Sequence, residues 1–194
     1  MPIVEGRTPW EACRAFCDDL NRLLATTVTQ TRLVPVPYDH RIVVAFRRQG
    51  GRPAAARLST RFGPMALYIG QRYEAVPVAD DRQRLITAEY RYTLTPGKLD
   101  EATQRDPLLR WEYVRDVPDD ATWCRHHLQG PVRLQIGKAK LSLNDLHLPT
   151  GYVTIEEVLR FCIADLGVKP LSRQWHRLLE ESYQRFKDDS APVR

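Results

Sequence analysis

One stretch decides the fold: Leu108-Leu109-Arg110-Trp111-Glu112-Tyr113-Val114-Arg115-Asp116, followed after a polar loop by Trp123-Cys124-Arg125-His126-His127-Leu128-Gln129. Large apolar and charged side chains alternate here with a period of two. In a strand, successive residues face opposite sides of a sheet. Trp111 and Tyr113 therefore share one face, and Arg110 and Glu112 share the other. On the following strand Arg125 and His127 point together, with His126 opposite. The same alternation comes earlier in Glu89-Tyr90-Arg91-Tyr92-Thr93, with the tyrosines on one face and Glu89 and Arg91 on the other.

Outward from this segment, Ile42, Val44 and Phe46 alternate with Val43, Ala45 and Arg47, a β-branched pattern that suits a strand. Further strands are expected over 29–36, 57–62, 67–76, 85–94, 109–114, 124–128 and 132–136. Pro35, Pro37, Gly50-Gly51, Gly63-Pro64, Asp80-Asp81, Pro96-Gly97 and Gly130-Pro131 are expected turns or loops. No helix-length segment separates the strands, so the sheet is expected to be mainly antiparallel and twisted.

Helical spacing flanks the strands. Thr8, Pro9 and Glu11 form a helix start, and Cys13, Phe16, Cys17, Leu20 and Leu24 recur at three and four. Near the other end, Thr154 with Glu157 forms a second capping box, Gly167 is a natural stop, and Ser172 is expected to cap a last helix through Trp175, Leu178, Leu179 and Phe186. The expected fold class is α+β. It is read as one domain over 1–194, with a helix at about 8–25, a sheet at about 27–148 and a C-terminal helix pair at about 154–188.

The chain has 194 residues, with 29 Lys plus Arg against 24 Asp plus Glu, a net charge of +5. At this length a core forms without disulfide or metal staples. The apolar runs are strand-length, far short of the roughly 20 residues that span a bilayer, so no membrane role is expected. The N-terminus has no secretory pattern, which makes the cytoplasm the expected location. Cys13, Cys17, Cys124 and Cys162 fit no common zinc spacing and are expected to be reduced thiols. Neither a metal nor a nucleotide cofactor is expected. Asp145 and His147 with a further histidine match no specific metal pattern, and the glycine loops lack the phosphate-binding signatures.

Charge is unevenly placed. Between Asp39 and Glu74 there is no acid, while Arg41, Arg47, Arg48, Arg52, Arg57, Arg61 and Arg72 accumulate. A second acid-free run from Ala121 to Asn144 holds Arg125, Arg133, Lys138 and Lys140. Arginine forks suit phosphate oxygens and aromatic rings can stack on bases. Arg47, Arg48, Arg52, Arg125, Tyr90 and Tyr92 are therefore the candidate nucleic-acid contacts, with RNA the expected partner.

For chemistry, His127 can serve as acid or base with Glu112 as its complement, His126 as the neighbouring candidate and Arg110 and Arg125 as phosphate clamps, in a metal-independent phosphodiester cleavage. That reading requires these groups to converge in a concave, water-accessible site. The competing reading is an ordinary cross-strand ion pair in a non-catalytic interaction module or assembly subunit.

The order Tyr90-x-Tyr92, Leu109-Arg110-Trp111-Glu112, Arg125-His126-His127-Leu128, then an amphipathic helix from Thr154, resembles the small TumE-like toxins of bacterial toxin-antitoxin modules. The chain departs from that pattern in having Glu112 where an Asp is usual, and in a long N-terminal half up to about Asp81. The resemblance implies a bacterial cytoplasmic protein of a toxin-antitoxin or phage-defence locus, partnered by the product of a neighbouring gene.

Overall fold

The computed structural model describes residues 5–38, 41–47, 53–78, 81–97, 107–121, 123–131, 133–136, 139–142 and 148–190. The first helix, α1 (Pro9–Thr27), begins where its cap predicts: the Thr8 hydroxyl accepts from the Glu11 amide at 3.1 Å, and Pro9 occupies the first turn. Glu11 folds back on the Arg7 amide at 3.1 Å, one residue short of a full capping box. Its buried side includes Cys13, Phe16, Cys17, Leu20 and Leu24, the stripe that their spacing requires.

The strands are β1 (Glu5–Gly6), β2 (Leu33–Tyr38), β3 (Arg41–Phe46), β4 (Ala56–Thr60), β5 (Gly63–Pro77), β6 (Gln83–Pro96), β7 (Leu109–Val114), β8 (His126–Gln129), β9 (Arg133–Ile136), β10 (Ala139–Ser142) and β11 (Leu148–Pro149). The main sheet runs β11-β8-β7-β6-β5-β3-β2, with β4 also on β5 and β1 on β6, while β9 and β10 pair with each other. Every described strand pairing is antiparallel. The fold is thus α+β, as the alternation indicates. Gly63 departs from its expected role as a loop residue: with φ +104 it leads out of a tight turn directly into β5, a conformation glycine adopts without steric cost.

Strand β2 closes one edge of the main sheet in a way its sequence explains. Asn21 accepts from Leu33 N–H at 2.7 Å and donates to the Leu33 carbonyl at 3.0 Å, so Leu33 turns its backbone groups away from β3. Pro35 and Pro37 share that parity in the β2–β3 ladder. They withhold N–H groups at the outward positions where a further strand would look for them.

After β11, α2 (Ile155–Ala164) opens with the expected capping box. The Thr154 hydroxyl accepts from Glu157 N–H at 3.3 Å and the Glu157 carboxylate accepts from Thr154 N–H at 2.7 Å. Gly167 follows with φ +72. The last helix, α3 (Trp175–Ser190), starts later than Ser172 predicts. The Ser172 hydroxyl accepts from Gln174 N–H at 3.1 Å and its carbonyl from Trp175 N–H at 3.3 Å, so it forms the turn leading into the helix.

All three described helices contribute to one buried cluster with a single sheet face. Phe16 of α1 meets Tyr73 edge-on at 5.1 Å, Phe161 of α2 meets Trp111 at 5.7 Å, and Phe186 of α3 stacks on Tyr152 at 5.4 Å, which in turn meets Tyr90 at 5.2 Å. Within this core Gln71 links Tyr73 and Tyr92 through hydrogen bonds of 2.6 Å, which satisfies three polar groups that burial would otherwise leave costly. The side chains of alternate parity, Glu89, Arg91, Arg110, Glu112 and His127, project from the other face. Among the described residues no helix is long and apolar enough to cross a membrane.

Candidate nucleic-acid interface

Strand register assembles a cluster on the face opposite the helices. Glu112 of β7 lies directly across from Arg91 of β6 and from His127 of β8, and directly opposed residues project from the same side. The Arg91 Nε donates to Glu112 Oε1 at 2.6 Å. Arg110 Nε lies 3.0 Å and His127 Nε2 3.4 Å from Glu112 Oε2. Arg110 also donates through Nε to Gln129 Oε1 at 2.9 Å. His127 Nδ1 sits 2.9 Å from the Cys124 carbonyl, and Trp123 meets the ring edge-on at 5.7 Å.

Burial works to raise the pKa of Glu112, but the hydrogen bond with His127 and the charges of Arg91 and Arg110 outweigh it and hold the carboxyl at about 2. A carboxylate so stabilised is a weak base and carries no proton to donate near neutral pH. His127 is 4% exposed, and a buried ring offers no approach to a phosphodiester. Convergence, the first condition for catalysis, is met by His127, Glu112 and Arg110; solvent access, the second, is not. The arrangement holds Glu112 as the shared counter-ion of two guanidiniums, with the His127 imidazole beside it.

Other expected contacts are redistributed. His126 does not join Glu112: it stacks on Tyr113 at 4.6 Å and meets Tyr152 at 5.6 Å on the helix-covered face, with the sheet between it and the carboxylate. Burial, then the charges of Arg125 and His127, lower its pKa. Tyr90 and Tyr92 are 2% and 1% exposed and stack on each other at 4.6 Å. They are core residues, and the helices above them exclude a base. Arg47 is half-buried at the end of β3, whereas Arg48 and Arg52 lie outside the described residues, as do Asp145 and His147. Arg125 is exposed. Its carbonyl accepts from Val114 N–H at 3.1 Å, which extends the β7–β8 register by one rung and sets Arg125 beside Val114.

The acid-free stretch of sequence is not acid-free in space. Glu74 of β5 pairs with Arg41 at 2.6 Å, and Glu89 of β6 pairs with Arg72 at 2.7 Å. On this face Arg41, Arg47, Arg72, Arg91 and Arg110 still outnumber Glu74, Glu89 and Glu112, so a positive excess survives, interlaced with carboxylates. A concavity of about 200 Å³ opens between the rows, lined by Val43, Tyr68, Gly70, Arg72, Glu89 and Arg91 among others. The Arg91 side chain, 59% exposed, uses Nε on Glu112 and leaves its terminal amino groups without a partner among the described residues.

Arg91, Tyr68 and Gly70 are the residues that motif reasoning passes over. Alternation places Arg91 opposite the tyrosines, but its position above a concavity depends on which residues of β5 and β7 flank it. Among the described residues no group of three His, Cys, Asp or Glu side chains could hold a metal ion. No family model, no curated protein and no solved structure matches this chain.

Proposed function

We propose that the sheet face around Arg91 binds nucleic acid, single-stranded RNA first, and that the Glu112 cluster positions its arginines without cutting the strand. The observation that carries this reading is Arg91, fixed at one nitrogen by Glu112 while its remaining donors face solvent over a concavity. A guanidinium held this way loses little freedom on meeting a phosphate. Arg125, exposed two rungs along the ladder from the row of Arg91, Glu112 and His127, adds a second cation. The resemblance to TumE-like toxins implies a bacterial cytoplasmic setting, in a toxin-antitoxin or phage-defence locus, with a neighbouring gene product as partner. Assembly through strand addition is disfavoured at β2, where Asn21, Pro35 and Pro37 occupy the outward edge.

The test is a salt titration of binding to labelled RNA and DNA oligomers. Affinity should fall steeply as salt rises, and Arg91→Ala and Arg125→Ala should each flatten the logarithmic slope by about one contact. Absence of binding at low salt overturns the proposal.

A further inference from the structure

Gly70 sits in the middle of β5, paired with Arg91 on one side and Ala45 on the other. Glycine weakens a central strand, and Gly70 is not among the glycines with positive φ, so backbone conformation does not require it. Space does. A Cβ at position 70 would stand 2.7 Å from Tyr68 Oη, 2.9 Å from Cε1 and 3.0 Å from Cζ. The missing side chain is what lets the Tyr68 ring lie along the strand over Gly70, where it forms part of the lining of the concavity. Burial raises the Tyr68 pKa, while the charges of Arg91 and Arg47 pull it down, which places the phenol within the field of both guanidiniums.

The remaining lining is also informative. Glu89 directs Oε1 to Arg72 and Arg41 and leaves Oε2 without a partner among the described residues. Every nucleobase carries an N–H donor on its Watson–Crick edge, and in a duplex that donor is already used. A site combining an aromatic ring, a spare carboxylate oxygen and an exposed guanidinium therefore fits an unpaired nucleotide better than a paired one.

We propose that Tyr68, laid over Gly70 beside Arg91, is a stacking position for one unpaired base of a bound RNA strand, with Arg91 taking the adjoining phosphate and Glu89 Oε2 accepting from the base edge. This rests on the nucleic-acid reading above and specifies its ligand. Fluorescence anisotropy with the full chain tests it, using a labelled single-stranded RNA, the same RNA as a duplex, and an abasic ribose-phosphate oligomer of equal length. The single strand should bind at least tenfold tighter than the other two. Tyr68→Leu, which keeps apolar bulk over Gly70, should weaken single-strand binding by about tenfold with an unchanged salt slope, and Tyr68→Phe should stay within about twofold; thermal melting of each variant confirms folding. Equal affinity for the abasic oligomer, or no effect of a folded Tyr68→Leu, overturns the stacking position while leaving salt-dependent phosphate binding intact. Failure of every oligomer to bind at low salt overturns both readings.

Discussion

Glu112 and His127 stand directly opposite each other on neighbouring antiparallel strands, with Oε2 and Nε2 3.4 Å apart, the carboxylate side chain 13% and the imidazole side chain 5% exposed. Two groups suited to acid-base work thus meet in a place that suits a buried polar contact better. Removing one partner leaves the other buried with its charge or polarity unmatched, and that asymmetry makes the pair testable.

Glu112→Gln removes the counter-ion of Arg91 and Arg110 and the charged neighbour of His127 together. Urea unfolding should show a loss of about 2–3 kcal/mol with little change in the denaturant slope. A loss below about 0.5 kcal/mol, the level of an exposed pair, would show that the cluster contributes nothing to folding.

Acid should reveal the same carboxylate. Its folded pKa of about 2 lies below the usual 4.5, so its stabilisation is fully present above pH 4.5 and is lost as pH falls through 2. The contribution, on the order of 3 kcal/mol, should disappear across that window in thermal melts. Glu112→Gln should flatten the melting temperature against pH there, and an unaltered profile would refute the assignment.

His127→Gln and the parent chain alike should leave RNA chemically untouched. Incubation of end-labelled RNA with either protein in the presence of a chelator should yield no cleavage products on a sequencing gel. Cutting by the parent that vanishes in His127→Gln and in Glu112→Gln, both confirmed as folded, would restore a catalytic role to the pair.

Thiol chemistry should follow burial. The thiols of Cys13 and Cys162 are pushed up to about 12 and that of Cys17 to about 11, chiefly by burial, and all three are enclosed. Cys124 is only partly buried. A thiol-specific reagent near neutral pH should therefore label Cys124 first and the other three only on unfolding. Rapid modification of Cys13 or Cys17 in the folded protein would contradict the packing of α1 on the sheet.

At the sheet edge, Pro35→Val with Pro37→Val restores two outward N–H donors on β2. Sedimentation should detect concentration-dependent self-association in the double variant and much less in the parent. Identical behaviour would show that the prolines do not guard this edge.

The elements most legible in the sequence are those whose causes are local. Thr154 and Glu157 are three residues apart and satisfy each other's backbone whatever surrounds them, so α2 begins where the capping box puts it. Strand β7 also matches its expected bounds, since alternation over six residues needs no partner to be recognised. Ser172 is less legible because a serine hydroxyl serves a turn as readily as a helix cap, and here it serves the turn.

The candidate site follows a different rule. Alternation separates Tyr90 and Tyr92 from Glu89 and Arg91, yet it does not say which set the helices will cover. That depends on docking of α2 and α3 across more than sixty residues of chain, seen in the bond from Val153 N–H to Tyr90 Oη. The arginine-rich stretch between Asp39 and Glu74 reads as unopposed in one dimension, but strand pairing returns Glu74 and Glu89 to Arg41 and Arg72.

By itself the sequence determined periodicity, helix starts, the α+β class and the division of each strand into two faces, because backbone sterics and hydrogen bonding between near neighbours set all of these. Only the tertiary structure decided that Glu112 faces His127 and Arg91, that Tyr90 and Tyr92 are enclosed, and that Tyr68 lies over Gly70 beside an exposed guanidinium. The physical reason is register: a shift of one residue between strands turns every side chain to the opposite face, and register is fixed by the burial of the whole core, not by any single segment within it.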